Sequence, residues 1–142
     1  MLMDMREWKC VLVADEQLPA GVLANTAAIL GISLGRMFPD CVGPDVSDAS
    51  GQIHRGITQL PVLVLKSDAL GLRRLRTRLE EPGFADVYMV DFSDVARGCG
   101  QYADYMELAG QTPETDHTYL GLALFGARKQ VSRLTGSLPL LR

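Results

Sequence analysis

"KCVLVADEQLPAGVLANTAAILGISLGRMFP", residues 9–39, decides the fold of this 142-residue chain. Lys9 to Ala14 form a short apolar run without alternation, the pattern of a strand covered on both faces. A turn containing Pro19 follows, and then a stretch rich in Ala, Gly and Leu that predicts a helix. A strand feeding a helix through a short turn opens an α/β architecture. Asn25 and Thr26 interrupt that helix, surrounded by Leu23, Ala24, Ala27, Ala28 and Ile29. A buried polar group without a partner costs ~1–3 kcal/mol, so Asn25 is expected either to hold a neighbouring loop or to face a ligand.

The same apolar pattern recurs at Pro61–Lys66, Asp86–Phe92 and Thr118–Gly126. Helical patterns separate these runs. In "SDALGLRRLRTRLEEPG" the leucines 70, 72, 75 and 79 form an apolar stripe, with Ser67 or Asp68 as N-cap and Pro82-Gly83 as the stop. Gln101–Ala109 reads as another helix. A last one, "ARKQVSRLTG", puts Val131 and Leu134 on one face and Gly136 just past its end. Residues 43–56 are turn-rich and suit a short hairpin. The alternation predicts one α/β domain over residues 1–142. It is a three-layer sandwich, with a mixed, mostly parallel sheet of four main strands between helices on both faces.

Composition narrows the function classes. Hydrophobic residues are 47% and charged residues 22% of the chain, which suits a globular protein. The net charge of −3 argues against a broad nucleic-acid face. No apolar run is expected to reach the ~18 residues of a membrane span, and "MLMDMREWKC" lacks a signal peptide's apolar stretch, so a cytoplasmic protein is expected. Cys10, Cys41 and Cys99 lack zinc or redox spacing, and Cys10 reads as a core residue. His54 and His117 lie in different segments, which disfavours a histidine metal site. No P-loop, GxGxxG turn or nucleophile elbow is present, and no cofactor is expected.

In open α/β sheets, ligands bind beyond the carboxyl ends of the strands. Asp15 follows the first strand, Lys66 ends the second and Asp91 lies near the end of the third. With parallel strands these three share one rim beside the start of the Asn25 helix. The loop "SGQIHRGI" adds His54. The sequence therefore nominates Asp91, His54 and Lys66 as candidate catalytic groups, and Asp15, Asn25 and Thr26 as candidate ligand-binding groups. Arg73, Arg74, Arg76 and Arg78 read as a solvated helix face. Cys99, in "RGCGQY", is a weak candidate thiol.

Three segments carry a family resemblance: "KCVLVADEQLPAGVLANTAAILG", "LPVLVLKSDALGLRRLRTRLEEPGFADVYMVDF" and "YLGLALFGARKQVSRLTGSLPLL". In order and length they resemble the strands and helices of type II peptidyl-tRNA hydrolases. The whole chain is similar to an uncharacterised bacterial family, domain of unknown function 2000, through "LANTAAILG", the Gly51, His54 and Gly56 loop, and "LTGSLPLL". The resemblance implies a peptidyl-tRNA hydrolase-like fold. Lysines that hold the RNA backbone in that superfamily align near Val22 and Ala24 here, and its helix histidine near Gly31. Its aspartate after the third core strand has an approximate match in Asp91 or Asp94, while the Ala-Gly-Arg-Thr run behind it gives way to an insertion over residues 93–117. The cationic grip on RNA is thus missing.

Three functions fit these readings. The first is binding of a small polar ligand at the rim. The second is an ester or amide hydrolase, with Asp91 or His54 as general base and Lys66 stabilising the oxyanion. The third is an interaction protein acting as a homodimer.

Overall fold

The computed structural model describes Asp4 and residues 6–142. The elements run β1 (Trp8–Asp15), α1 (Ala20–Met37), β2 (Val46–Ser47), β3 (Ile53–His54), β4 (Val62–Ser67), α2 (Ala69–Leu79), β5 (Tyr88–Ser93), α3 (Asp94–Arg97), α4 (Tyr102–Gln111), β6 (Tyr119–Ala127) and α5 (Arg128–Thr135). The main sheet has the order β4-β1-β6-β5, and β2 with β3 forms a separate hairpin.

The unbroken apolar runs of β1 and β6 are explained by their position. They are the two inner strands, and β6 is buried from Tyr119 to Gly126. On one face α1 sets Leu30 and Leu34 against Cys10, Leu12, Ala123 and Phe125. On the other, α2 and α5 set Leu72, Leu75, Val131 and Leu134 against Val11, Val13, Leu122 and Leu124. The result is a three-layer α/β domain with a mixed four-stranded sheet. The expectation of a mostly parallel sheet needs correction at the level of pairing. Strands β1, β4 and β5 point one way, but only β1 and β4 are parallel neighbours, because β6 lies antiparallel between β1 and β5. Ser93 pairs with Tyr119, so the 93–117 insertion leaves and rejoins the sheet at one end. It is an excursion, not a crossover, and the chain must return antiparallel.

Local chemistry fixes the ends of the elements. Asp68 caps α2, its carboxylate accepting from the Gly71 N–H at 2.7 Å. Leu70 departs from the expected stripe and is exposed, while Leu72 and Leu75 carry the burial. Gly136 follows α5 as expected but with φ −63°, so it makes no left-handed cap. The hairpin at β2–β3 turns at Gly51, whose φ of +81° favours glycine. Residues 138–141 close the outer edge of β4: the Lys66 N–H donates to the Pro139 carbonyl, and the Leu141 N–H to the Val64 carbonyl.

Helix α1 is 18 residues long with a mean hydropathy of 1.3, long and apolar enough on those two measures to cross a membrane. This corrects the reading that no such stretch exists. In the fold it lies against the sheet through Thr26, Leu30 and Leu34, and most of its other residues are not buried. Its seat depends on Gly121. A Cβ there would stand 2.8 Å from Thr26 Cγ2 and 3.1 Å from the Val13 carbonyl.

Gly121→Val is expected to cost about 1–3 kcal/mol through overpacking, read as a lower urea midpoint. Gly21→Ala, on the open side of α1, is expected to leave the midpoint unchanged or raise it.

Candidate functional site

The strand ends nominated by the sequence come together only in part. Register places Lys66 beside Ala14 and Ser67 beside Asp15. Lys66 Nζ meets Glu16 Oε2 at 3.5 Å, and both groups are more than a third exposed, so the pair contributes little. The Asp15 carboxylate accepts from the Gln17 N–H at 2.9 Å and shapes the turn into α1. Asp91 lies on β5, three strand positions from β4. At ~4.8 Å per strand that is roughly 14 Å, too far for Asp91 and Lys66 to act on one bond. Asp91 Oδ2 instead accepts from Arg76 Nε at 3.4 Å.

Three other nominations are corrected. His54 sits on the β2–β3 hairpin, which lies between the end of α1 and the start of β4 and so at the opposite end of the sheet from the rim. Its Nε2 lies 2.8 Å from Asp48 Oδ2. That contact, with the Gln52 and Ser50 N–H groups, holds the Asp48 carboxyl below its usual range. Asn25 is exposed, because its position turns it to the outer side of α1. Thr26 is wholly buried against Gly121, and its hydroxyl has no hydrogen-bond partner among the described residues. The six residues do not form one site.

Sequence reasoning missed a cluster where α2, β5 and the start of β6 meet. Arg73 donates to both Glu114 carboxylate oxygens and to the carbonyls of Glu114 and His117. Arg76 reaches Asp91, Glu80 and Glu114. Both guanidiniums lie over the Tyr119 ring, 5.4 Å from its centroid. The Tyr119 hydroxyl donates to Glu114 at 3.0 Å. Burial pushes this phenol up to about 12, and the Glu114 hydrogen bond adds to the shift. Arg73 and Arg76 therefore pin the insertion to α2, whereas Arg74 and Arg78 remain exposed as expected. The signal was their spacing: three apart, they flank the leucine stripe along one helix edge. Beside them, Ser93 Oγ and His117 Nδ1 are 2.9 Å apart, with Ser93 only 2% exposed.

A cleft of about 350 Å³ opens between α1, the edge strand β5 and the α3–α4 segment. Ile29, Val90 and Phe92 give it apolar lining, while Ser33, Asp91, Cys99, Gln101, Tyr102 and Tyr105 add polar groups. Tyr102 and Tyr105 meet edge to face at 5.5 Å. Burial raises the Tyr105 phenol, and the charge of Asp91 raises it further. Asp91 thus belongs to both places, as a partner of Arg76 and as a lining residue of the cleft. Cys99 also lines it, its thiol donating to the Val95 carbonyl at 3.3 Å. Cys10 and Cys41 are buried, and burial pushes the Cys10 thiol up to about 11. Among the described residues no group of three His, Cys, Asp or Glu could hold a metal ion.

A family model described as "Protein of unknown function (DUF2000)" matches residues 8–142. Among solved structures, a protein of unknown function from Agrobacterium tumefaciens strain C58 is similar with a TM-score of 0.84 and 19% identity. The match covers 94% of this chain and 97% of that one, a likeness of fold. No curated protein matches the chain.

Tyr119 yields a pH test. Below about pH 10 the phenol is neutral in both folded and unfolded chains, and its contribution to stability is complete. Between pH 10 and about 12 the unfolded chain releases its proton first, so that contribution is lost. Tyr119→Phe is expected to shrink the fall in urea midpoint over this window and to remove the last phenolate to appear near 295 nm. An unchanged titration would reject the assignment.

Proposed function

The chain belongs to the family of proteins of unknown function DUF2000, and from that premise we propose that it binds a small ligand in the cleft between α1, β5 and the α3–α4 segment. The observation that carries this reading is the meeting of an apolar lining (Ile29, Val90, Phe92) with Ser33, Asp91, Gln101 and two tyrosines in about 350 Å³. Ligand sites have this volume range and this mixture of apolar walls with a few placed polar groups. The aromatic pair favours a flat molecule, and Asp91 and the hydroxyls favour one carrying hydrogen-bond donors. The rim of Asp15 and Lys66 is less suited, because its charged groups are engaged in a turn and an exposed ion pair. The peptidyl-tRNA hydrolase-like ancestry and the cytoplasmic setting remain part of the proposal, resting on the sequence resemblance and on composition.

A screen of small heteroaromatic amines by thermal shift tests the reading. A true ligand at one hundred times its Kd is expected to add about 2.7 kcal/mol of stability. Tyr105→Ala and Gln101→Ala should each abolish the shift while the unliganded protein stays folded. Hits whose shift survives both substitutions would place binding elsewhere.

Hydrolysis of an ester or amide is the second reading, favoured by the hydrogen-bonded Ser93 and His117 pair at the end of β5. Turnover of an N-blocked aminoacyl-tRNA or of p-nitrophenyl acetate, lost in His117→Ala and in Asp91→Asn, would favour it. Turnover indifferent to both substitutions, or none at high enzyme concentration, would sink it.

A further inference from the structure

Two of the exposed apolar surfaces among the described residues differ in shape and stand out for what they expose. The first is the outer face of α1, where Gly21, Ala24, Asn25, Ala28, Gly31 and Ile32 are all exposed. Cβ atoms built on Gly21, Gly31 and Gly35 meet nothing within 4 Å. Packing inside the chain therefore does not require glycine there, although glycine is among the least favourable residues for a helix interior. Glycines facing outward from a helix suit close approach by another body. The second surface is the β2–β3 hairpin, where Val46, Ile53 and Ile57 are exposed, Ile57 by 79%. Together they line a shallow groove of about 590 Å³. A two-stranded hairpin without cover is marginal in water. This one is braced by its own polar contacts, Arg55 to Asp45 at 2.7 Å and His54 to Asp48 at 2.8 Å.

We propose that these two surfaces form the interface of a homodimer, the hairpin of each copy serving as an arm and α1 as the close-packed centre. Charge favours a second copy. From Gln17 to Gly35 the sequence has no charged residue, and the arm's acidic groups are paired with its own basic ones. Two chains of net charge −3 can bring these faces together without opposing like charges. Shape favours it as well. An antiparallel pair of α1 helices related by a two-fold axis at Ala28 brings Gly21 to Gly35, Asn25 to Gly31, and the small Ala24 to the large Ile32. Size requires the arm: a helix face of 18 residues, about 27 Å by 10 Å, covers roughly 270 Å² against the ~800 Å² each partner gives a stable complex. A lipid surface is a poorer occupant, since Gly, Ala and Asn gain little on transfer from water and the face carries no lysine to anchor it. Ile29 and Ser33, on the flank of α1, wall the cleft, so the partner copy stands beside it.

Sedimentation of the full chain across micromolar to submillimolar concentrations tests this. The expected species has twice the 15.5 kDa chain mass. Ala28→Arg and Ile57→Asp, both at exposed positions, should each give monomer with unchanged circular dichroism. Leu70→Arg, on the exposed side of α2, should leave the dimer intact. Gly31→Leu adds a second readout, raising helix stability in any monomer while weakening association. A wild-type monomer at every concentration would overturn the proposal. So would a dimer indifferent to Ala28→Arg and Ile57→Asp, or flotation of monomer on phosphatidylcholine vesicles that Ala28→Arg abolishes.

Discussion

Helix α1 lies on the sheet at a point where the sheet has no side chain. Gly121, near the start of the most buried strand, leaves room for Thr26, and Leu30 fits beside the same gap. That contact sets how near α1 comes to β1 and β6, and thereby how Leu30 and Leu34 fill the core layer above them. It also determines what the helix turns outward. With Leu30 and Leu34 drawn inward, the outer face is left mainly to Gly, Ala and Asn, with Ile32 the large side chain among them. The cleft follows from the same seat, since its wall is the flank of α1 where Ile29 and Ser33 stand over β5. A buried hydroxyl without a partner at Thr26 costs ~1–3 kcal/mol by the usual reckoning, and the tight packing around it offsets that cost.

The two edges of the sheet are treated differently. Beyond β4, residues 138–141 add backbone hydrogen bonds, so that edge is closed by the chain itself. Beyond β5 the chain departs through α3 and α4 instead, and α4 buries none of its residues. The Arg73, Arg76, Glu114 and Tyr119 cluster ties the far end of this excursion back to α2. Tethered at both ends and lightly packed between them, the segment frames a cleft where a covering helix would otherwise sit. Insertion, arginine cluster and cleft are thus one construction.

Much of the fold was legible because local chemistry is short-ranged. The unbroken apolar runs marked covered strands, the Asp68 cap and the Pro82 stop marked α2, and the turn-rich 43–56 stretch marked a hairpin. Strand direction was less legible. Whether β6 runs parallel to its neighbours depends on which end of the sheet the preceding segment returns to, and nothing in "TYLGLALFG" encodes that. The site was read least well. Asn25 and Thr26 are adjacent, yet a 100° turn along the helix puts one in water and the other in the core. His54 and Lys66 lie close in sequence, but the chain crosses the length of β4 between them. Asp91 was found because strand ends gather at α/β rims, while Arg73 and Arg76 were passed over because their partner, Glu114, lies far along the chain.

The place of β6 has a consequence for how the molecule comes into being. Strand β6 stands beside β1 over nearly its whole length, although the two come from opposite ends of the sequence. As the chain leaves the ribosome, β1, α1, β4, α2 and β5 all emerge before the strand that must lie between β1 and β5. Until then β1 has β4 alone for a neighbour, and β5 has no strand partner at all. Pairings of such long reach slow folding, because loop closure precedes the contacts that reward it. The four-stranded sheet is therefore completed only when the last strand enters its centre.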